Sequence, residues 1–154
     1  MNLSGITGLN YTEQFTHYHS TKDKILSAEE WLDLSELTIK THPGSVIIFD
    51  SLSALCAEKE MIGKITAAVR SDGPKLMAQF CRKNAAAINI NNVIVIVIQH
   101  LIANTSGYGS PFYEDGGNKI RYQQDVKIRV KKTEPLESNK KQVGWARRFG
   151  ILFG

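Results

Sequence analysis

The stretch Val93-Ile94-Val95-Ile96-Val97-Ile98 (VIVIVI) consists entirely of β-branched apolar residues. Such residues fit a pleated strand, and a strand that is apolar on both faces is typical of a central strand covered on both sides. A second apolar run, SVIIFD at residues 45–50, ends in a carboxylate. Because buried parallel strands have this continuous apolar character, the two runs predict neighbouring strands of a parallel sheet.

Helical patterns precede each of these strands. Ser27-Ala28-Glu29-Glu30 matches a capping box, and His42-Pro43-Gly44 predicts where that helix ends. Gly73-Pro74 predicts the start of a second helix, because proline fits the first helical turn. Helical spacing groups Trp31, Leu34, Leu37 and Thr38 on the first helix, and Met77, Phe80, Cys81 and Ile88 on the second. The opposite side of the second helix carries Lys75, Gln79 and Arg82.

The remaining segments complete an α/β pattern. Residues 14–20 (QFTHYHS) and 125–131 (DVKIRVK) alternate and predict strands, whereas residues 101–118 predict a long loop. Strands that alternate with helices predict a single α/β domain over residues 1–154, with a mainly parallel sheet. Right-handed crossovers place the carboxyl ends of parallel strands at one edge, where such folds bind ligands.

The composition is that of an ordinary globular domain. The 154 residues are 42% hydrophobic and 22% charged, with a net charge of +4, which excludes disordered, collagen-like and disulfide-rich classes. The apolar runs never approach the length of a membrane span, and residues 1–11 lack the pattern of a signal peptide. Cys56 and Cys81 match no metal-binding spacing and predict free thiols. We therefore expect a soluble cytoplasmic protein with no membrane partner.

Charge is distributed unevenly along the chain. Residues 119–154 contain ten basic and three acidic residues, whereas residues 1–118 contain nine basic and twelve acidic residues. A basic carboxyl-terminal quarter indicates a polyanionic partner such as nucleic acid. A solvated edge in which lysines protect the margin of a sheet explains the same pattern equally well.

Polar side chains follow both predicted strands. Asp50, with Ser51 beside it, would lie at the ligand-binding edge and could hold the Mg²⁺ of a nucleotide, or only cap the next helix. Gln99 would emerge beside Asp50 and could sense a phosphate oxygen or hydrogen-bond the following loop. Among the histidines, only His100 is a candidate functional residue, because it follows Gln99 directly.

The predicted loop at residues 101–118 carries three aromatic rings suited to stacking on bases: Tyr108, Phe112 and Tyr113. Alternatively, the loop is mobile and these rings fold back onto the body of the protein.

Three segments in this order resemble the RecA family of recombinases, closest to its phage UvsX branch. They are VIIFDSLSAL (46–55), VIVIVIQH with the loop that follows (93–115), and GGNKIRYQQDVKIRVKK (116–132). The first is similar to the family's Walker B strand and the second to the strand that ends in the switch glutamine. The third is similar to the Gly-Gly-Asn segment before the next strand. The likeness is strongest over residues 25–132 and implies a three-layer α/β/α core.

The resemblance implies a role for each matching residue. Asp50 would hold Mg²⁺ through water, next to Ser51, and Gln99 would act catalytically by linking the γ-phosphate of ATP to the second DNA-binding loop. Arg121 and Tyr122 would contact the nucleotide at a boundary between protomers. The residues implied in DNA binding are Lys59, Lys64, Arg70, Arg82, Tyr108, Phe112, Tyr113, Gly116, Gly117 and Asn118.

Two features depart from the family pattern. The phosphate-binding loop Gly-x-x-x-x-Gly-Lys-Ser/Thr is missing, since Ile65 follows the only Gly-Lys pair at Gly63-Lys64. The tail at residues 144–154 also lacks the family's lysine-bearing strand. The sequence therefore predicts a fragment whose sheet lacks the phosphate-loop strand. This absence leaves a gap beside residues 93–98, which another segment of the chain or a second copy must close.

The resemblance implies a fragment of a recombinase. The intact parent would use ATP and Mg²⁺ to form filaments on single-stranded DNA and exchange strands in recombination and repair. The fragment is expected to hydrolyse ATP negligibly and to self-associate as a dimer or higher oligomer. One alternative is a nucleotide-independent module that binds single-stranded nucleic acid. Another is a core fragment of a different RecA-fold ATPase, such as a helicase.

Overall fold

The computed structural model describes residues 16–64, 72–105, 108–114, 118–138 and 141–153. Its α-helices are α1 (Ala28–Thr41), α2 (Glu58–Ile62), α3 (Gly73–Ile90) and α4 (Asn118–Arg121), with a 3₁₀ turn at Leu52–Ala54. Its strands are β1 (Val46–Phe49), β2 (Ile94–Val97), β3 (Leu101–Ala103), β4 (Phe112–Glu114), β5 (Val126–Ser138) and β6 (Lys141–Phe153). The α/β class predicted from the sequence is therefore confirmed.

The described strands form three two-stranded sheets rather than one mainly parallel sheet. Strands β1 and β2 are parallel, with Val46 opposite Ile94 and Phe49 opposite Val97. The other two pairs, β3–β4 and β5–β6, are antiparallel hairpins. The expectation of a mainly parallel sheet is wrong for this part of the chain, because the carboxyl-terminal strands pair with their neighbours in sequence.

Helix α1 begins and ends where the sequence predicts. The Ser27 side chain accepts a hydrogen bond from the Glu30 backbone N–H at 3.2 Å, and the Glu30 carboxylate accepts one from the Ser27 N–H at 3.0 Å. These bonds satisfy two backbone donors that a helix start leaves without partners. The buried face of the helix, however, consists of Ala28, Leu32, Ser35 and Ile39, whereas Leu37, grouped with the predicted face, is 56% exposed.

The core lies between the two long helices and one face of the β1–β2 pair. Its fully buried members include Ile39 on α1, Leu52 in the 3₁₀ turn and Met77 on α3. The Phe49 and Phe80 rings meet edge to face, with centroids 6.0 Å apart. The predicted apolar face of α3 is confirmed, since Met77 and Phe80 are buried and Cys81 and Ile88 pack against the core.

The opposite face of the β1–β2 pair is open in the described residues. Ile94 and Ile96 are 58% and 43% exposed, whereas Val95 and Val97 pack against the core. The expectation that residues 93–98 are covered on both sides is therefore not met here. A continuous β-branched run predicts a strand correctly, but it does not show which element covers each face.

Three further predictions are corrected or placed by the structure. Residues 16–20 of the predicted strand 14–20 are not in a strand. The predicted long loop at 101–118 contains the β3–β4 hairpin. Most of the tail at 144–154 lies in β6. Its partner strand β5 continues to Ser138, past residue 131 where the sequence predicts its end. In the described ranges, none of the helices combines the length and hydropathy that a bilayer crossing requires.

A close approach of backbone fixes α3 against the 3₁₀ turn. Gly73, the first residue of α3, is buried, and a Cβ atom at this position would lie 2.6 Å from the Leu55 carbonyl oxygen. Since that neighbour is backbone rather than a flexible side chain, only glycine fits without displacing the turn. The contact sets the position of the segment that follows β1 and Asp50.

A carboxylate joins α1 to α3 by ion pairs. Glu36 on α1 contacts Lys40 at 2.7 Å and Lys83 of α3 at 2.6 Å. Hydrogen bonds from these two ammonium groups lower the pKa of Glu36 from 4.5 to about 2. Because the folded state favours the ionised form, Glu36 stabilises the protein above pH 4.5, and this contribution is lost as the pH falls toward 2.

We expect Glu36→Gln to destabilise the protein at neutral pH but to match the wild type near pH 2. Urea unfolding at a series of pH values checks this, with Glu134→Gln on β5 as the exposed control. The difference between wild type and Glu36→Gln should shrink as the pH falls below 4.5, the ordinary pKa of the group. A difference that stays constant from pH 7 to pH 2 would contradict the assigned role.

Candidate nucleic-acid and nucleotide site

The ends of the two parallel strands meet at one edge of the sheet. The Ile98 N–H donates to the Phe49 carbonyl at 3.0 Å, and the Leu52 N–H donates to the Ile98 carbonyl at 2.9 Å. Asp50, which is exposed, and Gln99, which is half-buried, therefore follow their strands at the same edge, as the sequence predicts. The Asp50–Ser51 peptide bond is cis.

A side-chain hydrogen bond connects the two strand ends. The Ser51 hydroxyl and the His100 Nε2 atom lie 3.2 Å apart, although the residues are 49 positions apart in sequence. Strand β3 begins at Leu101, so His100 also marks the start of the β3–β4 hairpin. The sequence predicts Gln99, rather than His100, as the functional residue at the end of β2. The only sequence signal for His100 is its place directly after Gln99.

Asp50 offers one carboxylate at this edge. Magnesium uses one or two protein carboxylates and keeps several waters, so a single exposed aspartate suits the water-mediated contact predicted for it. No group of three or more potential ligands of the His, Cys, Asp or Glu types converges within the described ranges. Asp50 could therefore assist a magnesium ion that a nucleotide brings, but it does not form a complete cation cage with these neighbours.

The described residues do not fit the phosphates of a nucleotide. Gly63 ends helix α2 as its C-cap, and exposed Lys64 follows it. A phosphate-binding loop needs the reverse order, in which the Gly-Lys pair leads into a helix so that backbone N–H groups point at the phosphates. This Gly-Lys pair therefore provides no cradle for the β- and γ-phosphates.

The described residues of the aromatic segment form a hairpin. Leu101 pairs with Glu114 and Ala103 with Phe112, and the turn between them carries Tyr108. The three aromatic side chains are exposed: 88% for Tyr108, 52% for Phe112 and 53% for Tyr113. Within the described residues, the rings do not fold back into the core, so their faces remain accessible for stacking.

The base of this hairpin is held by charge. Glu114 on β4 forms an ion pair with Lys127 of β5, and the Arg129 guanidinium lies 3.7 Å from the same carboxylate oxygen. The side chains of Glu114 and Lys127 are only 20% and 18% exposed, so the pair is partly shielded from solvent. This cluster attaches the β3–β4 hairpin, called the aromatic hairpin below, to the β5–β6 hairpin, called the basic hairpin.

Of Lys59, Lys64 and Arg70, which the resemblance implies in DNA binding, the first two lie in the described ranges. Lys64 is exposed, whereas Lys59 forms an ion pair with Asp72, and the hydrogen bond from this pair raises the pKa of Lys59. The Asp72 N–H also donates to the Glu60 carboxylate at 2.6 Å. Lys59 is thus partly neutralised within the protein. Arg70 lies outside the described residues.

The other predicted contacts lie on separate elements. Arg82 is exposed on α3 together with Lys75 and Gln79, which confirms the predicted polar side of that helix. Arg121 and Tyr122 are exposed at the end of α4, with Tyr122 80% accessible. Asn118 begins α4, and Gly116 and Gly117 lie outside the described residues.

Comparisons with known proteins match one family. The family model described as RecA N-terminal domain matches residues 20–152. The protein named Protein RecA from Symbiobacterium thermophilum is 27% identical over 127 residues, covering 82% of this chain and 36% of that protein. The one from Nautilia profundicola is 30% identical over 118 residues, covering 75% of this chain and 34% of that protein. The chain thus spans about a third of the length of these curated relatives.

Proposed function

The chain belongs to the RecA family, and we propose that it is a fragment of a RecA/UvsX-like recombinase that supplies the surface for single-stranded DNA. One observation carries the proposal: the aromatic hairpin, with three exposed rings, starts at the sheet edge where β1 and β2 end, which we call the strand-end edge. Aromatic faces bind every base by stacking and therefore suit a protein that must accept any sequence.

Electrostatics supports the same partner. The carboxyl-terminal quarter has a net charge of +7, and the β5–β6 hairpin carries most of its basic side chains. Glu114 places the aromatic hairpin against Lys127 and Arg129 of that basic hairpin. Basic groups beside stacking rings give a surface on which phosphates and bases of one strand bind together.

Nucleotide binding is proposed for the intact parent protein. In the parent, ATP and Mg²⁺ would bind beside Asp50 and Ser51, with Gln99 and His100 at the next strand end and Arg121 and Tyr122 at the protomer boundary. The parent's sheet would be the three-layer core that the family resemblance implies. The 154-residue chain lacks the phosphate-binding loop in its sequence, so we propose that alone it hydrolyses ATP negligibly.

Anisotropy of a labelled single-stranded DNA tests the proposal. Titrations with and without ATP and Mg²⁺ should both show binding, with affinity falling steeply as salt rises because phosphate contacts release counterions. ATP turnover by the chain, measured with DNA present, should equal the buffer blank. Absence of binding at low salt, or turnover like that of a full-length relative, would contradict the proposal.

A second candidate function is a module that binds single-stranded nucleic acid without any nucleotide. The hairpin favours it, because the hydrogen bonds that hold the described part of its turn come from Asn104 of the chain itself. The same titration distinguishes the two candidates. An affinity that increases with ATP and Mg²⁺ favours the recombinase fragment, whereas identical affinities favour the nucleotide-independent module.

We also propose that the chain self-associates. The open face of the β1–β2 pair exposes Ile94, Ile96 and Ile98, and β5–β6 exposes Ile128 opposite Ile151. Contiguous exposed apolar patches of this kind usually mark an interaction surface. Sedimentation velocity should therefore show a mass that rises with concentration; a monomer at every concentration up to the millimolar range would refute self-association.

A further inference from the structure

One amide side chain holds together the tip of the aromatic hairpin. Asn104 directly follows β3, and its backbone N–H donates to the Pro111 carbonyl at 2.8 Å. Its Nδ2 atom donates to the Tyr108 carbonyl at 2.6 Å and to the Ser110 carbonyl at 2.9 Å. Three carbonyls from the far side of the turn therefore converge on this residue.

The chemistry of this contact is specific to a primary amide. The asparagine NH₂ group has two N–H donors, and here each one has its own carbonyl acceptor. Alanine would remove both of these hydrogen bonds. Aspartate has the same shape but would place a charged acceptor beside two carbonyl oxygens, which it cannot hydrogen-bond.

The two hydrogen bonds from the Asn104 side chain, called the brace below, strongly affect the conformation of the turn because the hairpin is short. Strands β3 and β4 are three residues each, and an isolated two-stranded hairpin is marginally stable in water. Gly109, between the two braced carbonyls, has a φ of +85° with open space around it. Such a backbone adopts many conformations, so the bonds from Asn104 select one of them.

The base of the hairpin is anchored separately. At one end the His100–Ser51 hydrogen bond fixes the start of β3, and at the other Glu114 pairs with Lys127. The base can therefore stay in place when the Asn104 contacts are removed. What Asn104 determines is the position of the tip, where Tyr108 is 88% exposed.

We propose that Asn104 is a positioning residue that sets the Tyr108 ring for stacking on an unpaired base before nucleic acid binds. The inference rests on the proposed binding of single-stranded DNA and adds how the surface is prepared for it. When these hydrogen bonds already hold Tyr108 in place, less conformational entropy is lost on binding, so they increase affinity although Asn104 does not contact the ligand.

A thymidine oligonucleotide containing one 2-aminopurine tests this inference, because the fluorescence of that base is quenched when it stacks on an aromatic ring. Asn104→Ala and Asn104→Asp should each weaken binding by about three- to tenfold and reduce the quenching. The slope of affinity against salt should stay the same, since phosphate contacts are unaffected. Asn89→Ala, at an exposed position on α3, is the matched control and should behave as wild type.

A double-mutant cycle separates positioning from general destabilisation. If Asn104 acts through Tyr108, the Asn104→Ala change should cause no further loss in a Tyr108→Ala background. Independent, additive losses would overturn the inference, and so would wild-type quenching by Asn104→Ala. Failure of the wild type to bind the oligonucleotide would overturn the proposed function and this inference together, whereas normal binding with additive losses overturns the inference alone.

Discussion

Replacing Met77 by alanine is expected to lower the free energy of unfolding by about 2–5 kcal/mol. Met77 is fully buried on α3, within the core that joins α1 and α3 to β1 and β2. Shortening it removes apolar contacts and leaves a cavity that tightly packed neighbours fill only in part. Equilibrium unfolding in urea, followed by circular dichroism, measures the loss.

Met61 provides a matched control for this prediction. It lies on α2 and is 40% exposed, so Met61→Ala should change the free energy of unfolding by less than about 0.5 kcal/mol. Equal effects of the two substitutions would mean that the helices do not pack as described. The strand-end edge depends on this core, so a loss of packing should also weaken DNA binding.

Replacing Tyr108 by alanine is expected to weaken binding of single-stranded DNA by about five- to a hundredfold, the range for one base stacked on one ring. Tyr108 is 88% exposed, so removing its ring should leave the free energy of unfolding almost unchanged. Tyr108→Phe keeps the aromatic face and should bind nearly as well as wild type. Fluorescence anisotropy at constant salt measures each affinity.

Tyr18 provides the matched control for Tyr108. It is 51% exposed and lies outside the hairpin, before α1, so Tyr18→Ala should leave the affinity unchanged. Equal losses from Tyr18→Ala and Tyr108→Ala would show that the hairpin has no special role. A loss in Tyr108→Phe as large as in Tyr108→Ala would show that the hydroxyl, rather than stacking, provides the contact.

The sequence predicts well those features that depend on neighbouring residues. The capping box at Ser27 and the proline start of α3 are confirmed, because both arise from local backbone hydrogen bonding. The edge shared by Asp50 and Gln99 also follows from local patterns, since each residue ends an apolar strand and parallel strands end together.

Features that depend on distant residues could not be predicted in this way. The Ser51–His100 contact joins residues 49 positions apart, and no local pattern indicates it. The hairpin at 101–114 has three-residue strands around a turn rich in glycine and serine, so its composition is that of a loop. The β-branched residues at 93–98 show that a strand forms, but the covering of its second face depends on elements elsewhere.

Photochemical cross-linking tests the central claim most directly. A single-stranded oligonucleotide carrying 5-iododeoxyuridine is irradiated with the 154-residue chain, and mass spectrometry locates the attached peptides. We predict cross-links at the exposed rings of the hairpin, Tyr108, Phe112 and Tyr113. Cross-links confined to rings outside the hairpin, such as Tyr18 or Trp145, would contradict the account.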